Sequence, residues 1–383
     1  MNAAEILTLR LHHTGLIDSP FKSAEEAVSS LGAVQAQDFA AAKWALGLRV
    51  KNSTDEDIEK AFNEGTILRT HVMRPTLHFV TPENIRWMLG LTAPRVKSYL
   101  ETYNRKLGLD EAVFAKSNAV IVNALHDRTY LTRQELKSVV AETGIETDVQ
   151  RFGHIIARAE LDGLICSGPR RGKQFTYALL EERVGRSTAL SREKELAALA
   201  LRYFTSHGPA QLKDFSWWSG LGDKDARVAL GLVESELEQA TVNDRIFWVS
   251  PREETVTPDS PSAFLLSIYD EYTIAYRDRN DISEARDIER MISMGNVLTA
   301  VIILNGRVAG TWNKVRKKNS VEIRLNPFRA LDNDEQKALE SQVGRYGEFF
   351  GIPAVLVDKF TQLISRHEVL NRGNTKSGKR DMS

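Results

Sequence analysis

The pattern of apolar and polar positions is clearest between residues 117 and 179. The stretch LTRQELKSVVAETG opens with Thr132 and Glu135 at the spacing of a capping box, and Gly144 follows as a typical helix stop. The next stretch, TDVQRFGHIIARAELDG, has one apolar helical face and ends at Gly163. SNAVIVNALHD predicts a helix before them, and LICSGPRRGKQFTYALL predicts a hairpin after them.

Three helices followed by a hairpin is the layout of a winged helix, and this order recurs twice. The stretch from SREKELAALALRYFTSHG to ATVNDRIFWVS repeats it with an Asn-Asp turn, and the N-terminal part repeats it with an inserted helix and the hairpin ILRTHVMRPTLHFV. After residue 262 the chain becomes strand-rich, and one helix, NDEQKALESQVGRYGEFFG, follows. We therefore predict an α+β chain of three tandem winged helices and a small β-domain with a terminal helix. The predicted boundaries are 1–110, 111–187, 188–262 and 263–383.

The composition is that of an ordinary globular protein and argues against several classes. Apolar residues make up 42% of the 383 positions and charged residues 27%, and no apolar run approaches the ~18 residues of a membrane span. The N-terminus lacks the basic and apolar regions of a signal peptide, so we expect a cytoplasmic protein. Cys166 is the only cysteine, and GxGxxG, Walker A, HExxH and GxSxG motifs are missing from the sequence. We therefore expect neither a metal nor a cofactor.

The net charge is zero, with 51 basic and 51 acidic residues, but the basic residues are clustered. Three basic patches occur, at GPRRGK (168–173), NKVRKKNSVEIR (313–324) and SRHEVLNRGNTKSGKR (365–380). A solvated surface is the simplest interpretation of any one patch. Three patches together favour contact with a polyanion, because salt confines the field of each charge to about 8–10 Å.

The most unusual polar residues are two glutamines close together in the sequence and the charged residues of the first hairpin. In GAVQAQDFAAAKW, Gln35 and Gln37 are two positions apart, so their side chains point the same way only if the segment is extended. Two amides that face one space can hold a water molecule, or they can tie down a loop. In the hairpin, Arg69 and His71 share a strand face, and Arg74 and His78 are close by. A polar, exposed wing without a function is the alternative interpretation.

Four stretches of the chain resemble the AlkZ/YcaQ-like bacterial DNA glycosylases. They are LGAVQAQDFAAAKWALGLR, ILRTHVMRPTLHFVTPENI, YDEYTIAYRDR and GRVAGTWN, and they follow the family's order over nearly the whole chain. The resemblance implies three winged helices and a C-terminal β-barrel domain around a DNA channel. It also implies excision of cationic, N7-alkylated purines, and some family members unhook interstrand crosslinks.

The family's catalytic motif is Gln-apolar-Gln in the AlkZ branch and Gln-apolar-Asp in the YcaQ branch. Gln35-Ala36-Gln37 matches the first, while Asp38 lies one position out of register for the second. Glutamine cannot act as a general base, but a purine that already carries a positive charge leaves as a neutral base without protonation. The remaining tasks are to stabilise a cationic sugar and to place a water molecule, which need positioning and electrostatics. We hypothesise that Gln35 and Gln37 together bind that water.

The DNA contacts are predicted in two groups. The hairpin residues Arg69, His71, Arg74 and His78 would lie near the lesion. Basic side chains from two patches would bind phosphates and set the register: Arg170, Arg171, Lys173, Lys314, Arg316 and Lys317. The predicted partner is double-stranded DNA with alkylated bases, bound by a monomer.

Two other functions remain open from the sequence. A non-catalytic DNA-binding regulator would bind duplexes sequence-specifically and release no base. A protein-interaction scaffold would not bind DNA even at low salt, since winged helices also serve that role. The sequence also leaves open which alkyl adduct or crosslink is the substrate.

Overall fold

Helices dominate the first two-thirds of the chain, and the largest sheet lies in the last third. The computed structural model describes residues 1–185, 190–251, 262–294 and 297–357, and it is a mixed α+β structure. The helices are α1 (Ala3–His13), α2 (Ala24–Leu31), α3 (Phe39–Gly47), α4 (Asp55–Glu64), α5 (Pro82–Lys106), α6 (Glu111–Ala124), α7 (Arg133–Glu142), α8 (Val149–Leu161), α9 (Leu180–Arg183), α10 (Arg192–His207), α11 (Leu212–Ser219), α12 (Asp223–Val233), α13 (Glu271–Ile274), α14 (Ala285–Met291) and α15 (Asn333–Phe350). In these described ranges, no helix combines the length and apolar character that a membrane crossing requires.

The strands form five separate sheets. They are β1 (Val34–Gln35), β2 (Leu68–His71), β3 (Leu77–Val80), β4 (Leu131–Thr132), β5 (Ile165–Ser167), β6 (Thr176–Leu179), β7 (Glu238–Val242), β8 (Arg245–Val249), β9 (Ala263–Leu266), β10 (Ile292–Met294), β11 (Val297–Leu298), β12 (Val301–Leu304), β13 (Arg307–Arg316), β14 (Val321–Pro327) and β15 (Ala354–Leu356). The sheet orders are β1-β3-β2, β4-β6-β5, β7-β8, β10-β11 and β15-β14-β13-β12-β9. Among the described strands β9 and β15 are the edges of the largest sheet and do not pair, so the barrel that the resemblance implied stays a prediction.

Local capping sets where the helices around the glutamine pair begin. Ser23 accepts a hydrogen bond from the Glu26 N–H at the start of α2, and Thr54 forms a full capping box at the start of α4. Asp38 caps α3, accepting from the Ala41 N–H at 2.9 Å. The strand β1 therefore ends at Gln35 and α3 begins at Phe39, so Gln37 lies in the short bend between a strand and a helix.

Three large apolar cores hold the elements together. We call the predicted stretches 1–110, 111–187 and 188–262 the first, second and third units. The second unit has a core of its own, which extends from Leu109 to Leu179. The largest core combines the first unit with the strand-rich end, from Leu7 to Phe349, and another combines the first hairpin and α5 with the third unit. Predicted boundaries at 187 and 262 fall in or beside the stretches 186–189 and 252–261, outside the described residues. The predicted domains therefore remain an interpretation.

A buried ion pair connects the first unit to the strand-rich end. Arg49 follows α3 and donates from its two terminal nitrogens to the two oxygens of Asp270, each at 2.8 Å, with the side chains only 1% and 0% exposed. Its Nε donates to the Thr14 carbonyl at 2.7 Å. This bidentate contact holds the segment YDEY (269–272) next to β1, where Glu271 contacts the backbone of Gln35.

Candidate active site

The two motif glutamines are both held by the β2–β3 hairpin. β1 runs antiparallel to β3 with Gln35 opposite His78, and the Gln37 side-chain oxygen accepts from the Leu77 N–H at 3.1 Å. The Gln35 side-chain oxygen accepts from Arg74 Nη2 at 2.9 Å. The segment is extended at Gln35, and both amide oxygens turn toward one hairpin.

The two amides differ in their access to solvent. Gln35 is buried, with 8% of its surface exposed, whereas Gln37 is exposed. Because the Leu77 N–H can only donate, the Gln37 atom that it contacts must be the oxygen, and this fixes which way the amide faces. Within the part of the chain that the structure describes, no further hydrogen bond occupies that oxygen or the NH2 group. Gln37 is thus the amide of the pair that a bound molecule can reach.

Arg69 supports the backbone of the glutamine motif. Its Nε donates to the Ala36 carbonyl at 2.8 Å, and its Nη2 donates to the Gln37 carbonyl at 3.3 Å. The guanidinium also lies over the Phe175 ring, 4.8 Å from its centroid. Arg69 is therefore engaged within the protein beside the site at which it was predicted to approach DNA.

Glu271 is a component of the site that the sequence analysis missed. It is 1% exposed, its Oε1 accepts from the Gln35 N–H at 2.9 Å, and its Oε2 accepts from Trp218 Nε1 at 2.9 Å. Burial acts to raise the pKa of this carboxyl, but His207, Arg74 and the Gln35 N–H outweigh it and lower the pKa to about 2. Glu271 is therefore a buried anion beneath the motif. Two acids within the apolar run AFLLSIYDEYTIAY were the signal that could have revealed it.

The two hairpin histidines face the protein. His71 hydrogen-bonds through Nδ1 to the buried Glu160 of α8 and so connects the hairpin to the second unit. His78 has no exposed surface, and its Nδ1 lies 2.9 Å from the Thr76 carbonyl. The direct DNA contact predicted for His78 does not fit this burial, because the ring is enclosed by the sheet and Arg74.

We expect His78 to make the fold sensitive to mild acid. Burial and then the nearby Arg74 charge lower its pKa to about 3, below the ~6.5 of an unfolded chain. The unfolded state then binds the proton more readily, so stability is lost as the pH falls from about 6.5 toward 3. Between pH 7 and pH 5 this contribution amounts to about 2 kcal/mol. Urea unfolding of the wild type and of His78→Gln at both pH values measures it, and equal pH dependence in the two proteins would refute this role.

A cleft of about 550 Å³ is lined in part by Arg69 and Leu77, two residues that contact Gln37. It lies between the first hairpin and the second unit and begins at Leu77 and Arg69, the residues that hold Gln37. Its lining includes Val149, which is 78% exposed, together with aromatic side chains. Three further cations lie along it, Arg133, Lys137 and Lys173. The cleft that reaches the contacts of Gln37 is thus partly apolar and bordered by positive charge.

Comparison with known proteins identifies the family. The family model described as "DNA glycosylase AlkZ-like" matches residues 28–349, most of the chain. The chain belongs to the AlkZ-like DNA glycosylase family. A curated relative, the interstrand DNA cross-link repair glycosylase of Streptomyces sahachiroi, is 24% identical over 344 residues, which cover 86% of this chain and 91% of the relative. The predicted membership and enzyme class, a DNA glycosylase, are therefore confirmed.

A solved structure supports the mixed α+β fold. It is that of Streptomyces sahachiroi DNA glycosylase AlkZ, which matches with a TM-score of 0.78 at 21% identity and covers 93% of this chain and 100% of that one. At this identity the likeness is one of fold. In the described part of this chain, no group of three His, Cys, Asp or Glu side chains is arranged to hold a metal ion.

Several of the cations predicted to bind phosphate are already paired within the protein. Arg170 contacts Glu59 at 3.0 Å, Arg171 contacts Glu135 at 2.7 Å, and Lys317 contacts Glu322 at 3.2 Å. Lys314 donates to the Tyr346 hydroxyl at 2.7 Å. These side chains would have to leave or share their partners to reach DNA.

Two predicted phosphate contacts differ from the others. Lys173 and Arg316 are exposed, and within the described ranges neither has an acidic partner at salt-bridge distance. They are therefore the simplest candidates for phosphate binding. The third basic patch, 365–380, lies outside the described residues.

Proposed function

We propose that this DNA glycosylase hydrolyses the N-glycosidic bond of cationic, N7-alkylated purines, with Gln35 and Gln37 as the catalytic residues. The observation that carries the proposal is the exposed Gln37 amide, fixed by the Leu77 N–H beside the buried Gln35. A fixed amide oxygen can accept a hydrogen bond from a water molecule and face a cationic sugar. Both tasks are electrostatic and need a preorganised group. The hairpin provides this preorganisation, because the Leu77 N–H holds the Gln37 amide.

The charge balance of the reaction explains why no acid is required. The C1′–N9 bond breaks, and its electron pair stays on the purine and neutralises the positive charge of the alkylated ring. Water adds to C1′ and afterwards loses a proton to solvent, so the products are an abasic sugar and a neutral base. The transition state carries positive charge on the sugar, which amide dipoles can stabilise. A neutral lesion such as uracil lacks this advantage.

We further propose that the three helix–hairpin units act as winged helices along a duplex, with the predicted boundaries, and that the protein works as a monomer. The cleft that Leu77 helps to line has a volume of about 550 Å³, which supports the proposal that a group larger than methyl can be accommodated. The relative from Streptomyces sahachiroi is named for interstrand crosslink repair. We therefore include bulky adducts and crosslinks among the substrates to be tested.

Base release tests this function directly. The purified protein is incubated with a duplex that carries one N7-methylguanine, in the presence of EDTA, and abasic product is then cleaved with mild alkali. We expect strand cleavage at the lesion. The rival function, a DNA-binding regulator, predicts tight duplex binding and no cleavage with this lesion, with a bulky adduct or with a crosslinked duplex.

Neutralising the exposed cations should change the salt dependence of DNA binding. For Lys173→Gln and for Arg316→Gln, we expect weaker binding to every sequence and a slope of log K against log salt that is flatter by ~0.9, one phosphate contact each. Arg170→Gln is the control, because its side chain is only 14% exposed and paired with Glu59. Titrations at several salt concentrations measure the slopes. Unchanged slopes for Lys173→Gln and Arg316→Gln would remove both residues from the DNA contacts.

A further inference from the structure

Gln35 is held at both ends by groups of opposite charge. Its N–H donates to Glu271 Oε1 at 2.9 Å, and its side-chain oxygen accepts from Arg74 Nη2 at 2.9 Å. Trp218 closes the arrangement, since its Nε1 donates to Glu271 at 2.9 Å and its carbonyl accepts from Arg74 at 3.3 Å. The four residues form a ring of hydrogen bonds in which the anion and the cation alternate with Gln35 and Trp218.

The cation in this ring works against the proposed reaction. Arg74 is half-buried and directly contacts the amide of Gln35. If Gln35 acts on the sugar as proposed above, the positive charge of Arg74 lies close to the place where the sugar becomes cationic. Charges in a partly buried site are screened far less than charges in water. Without a nearby anion, Arg74 would raise the energy of the transition state.

The anion that can cancel this field is Glu271. It is 1% exposed and accepts a hydrogen bond from the backbone N–H of Gln35, the residue whose side chain Arg74 contacts. Burial raises the pKa of the Glu271 carboxyl, but His207, 3.5 Å away, and then the Arg74 charge lower it to about 2, so the group is an anion at neutral pH. Each of its two oxygens accepts a hydrogen bond from an N–H group. Because the carboxylate is also buried, it does not contact a substrate directly.

We propose that Glu271 is a positioning residue of the glycosylase reaction, which fixes the backbone of Gln35 and cancels the positive field of Arg74 at the reacting sugar. This inference rests on the function proposed above. If the ring of hydrogen bonds only held the fold together, loss of either charge would have the same effect. The proposed electrostatic role leads to a different prediction. Removal of the anion slows base release, whereas removal of the cation accelerates it, although both changes break the same ring.

The two test variants are Glu271→Gln and Arg74→Gln. Each keeps a polar side chain at its place, and the second keeps a donor for the Gln35 amide. The matched control is Asp214→Asn, because Asp214 is also 1% exposed and its carboxylate accepts from the N–H groups of Gln211 at 3.0 Å and Arg277 at 3.1 Å. It has the same kind of buried hydrogen bonding without contact to Gln35.

The experiment is single-turnover base release from an N7-methylguanine duplex at saturating protein, with affinity measured separately. We expect Glu271→Gln to lower the rate constant roughly 30-fold at unchanged affinity, Arg74→Gln to raise it several-fold, and Asp214→Asn to stay within about two-fold of wild type. If the wild type releases base but Glu271→Gln keeps its rate, or if Asp214→Asn is slowed equally, the proposal is overturned while the function stands. If the wild type releases no base, the proposed function itself fails.

A folding defect in Glu271→Gln does not remove the test. Circular dichroism and the thermal midpoint identify such a defect, and Arg74→Gln then examines the same cancellation from the other side. A rate constant for Arg74→Gln above that of the wild type supports the proposal. A rate constant at or below that of the wild type overturns it.

Discussion

Replacing Gln37 with alanine is expected to slow base release by ~100-fold or more and to leave DNA affinity unchanged. The physical reason is that, in the proposed mechanism, the exposed Gln37 amide acts on the water and the sugar only while the bond is breaking, and the Leu77 N–H at 3.1 Å holds it in place. An interaction made only in the transition state affects the rate constant and not the binding of the substrate. Single-turnover rates and equilibrium titrations of the same duplex separate these two quantities.

Two further variants define what Gln37 contributes. Gln37→Glu retains an oxygen that can accept from the Leu77 N–H and from water, so we expect it to be faster than Gln37→Ala. Gln239→Ala is the matched control, because Gln239 is an exposed glutamine of β7 in the third unit. A parallel loss of rate and affinity in Gln37→Ala would show that the residue binds DNA and would remove its catalytic assignment.

Replacing Asp270 with alanine is expected to lower the free energy of unfolding by about 3–5 kcal/mol, more than any other variant described above. The change leaves the Arg49 guanidinium buried, at 1% exposure, without the carboxylate that it contacts through two hydrogen bonds. An uncompensated buried charge costs more than the net value of the pair. Urea unfolding followed by tryptophan fluorescence measures the change. The same variant should lower base release, since Asp270 adjoins Glu271 beneath the glutamine motif.

The surface pair Lys60–Glu64 provides the comparison. Its partners are 3.8 Å apart, and their side chains are 72% and 57% exposed. We expect Glu64→Ala to change stability by less than about 0.5 kcal/mol, because water and salt screen an exposed pair. If Asp270→Ala destabilised the protein no more than Glu64→Ala does, the buried pair would not fasten the two parts of the chain as described.

The elements that the sequence predicted well are those set by neighbouring residues. The capping box of Thr132 and Glu135 is present at the start of α7, and Asn243 and Asp244 adopt φ values of 49° and 59° in the turn between β7 and β8. Both features depend on contacts over two or three residues. The extended conformation at Gln35, which the sequence left open, depends instead on pairing with His78 in β3, a contact that is not local.

The parts that could not be predicted depend on contacts between distant residues. The Glu271 carboxylate meets the Gln35 N–H across 236 residues, and Arg170 meets Glu59 across 111 residues. A sequence shows that a charge exists but not which opposite charge the fold brings beside it. His78 shows the same limit, because β3 buries three of its four residues and so departs from the simple alternation of an exposed hairpin.

The central claim is that two amides suffice because the purine that leaves is already cationic. The measurement that tests it most directly compares single-turnover base release from two duplexes of one sequence, which differ only in carrying N7-methylguanine or uracil at the same position. We predict release of N7-methylguanine in EDTA and no detectable release of uracil. Equal release of both bases would show that the protein activates a neutral leaving group, and the catalytic roles assigned to Gln35 and Gln37 would then be wrong.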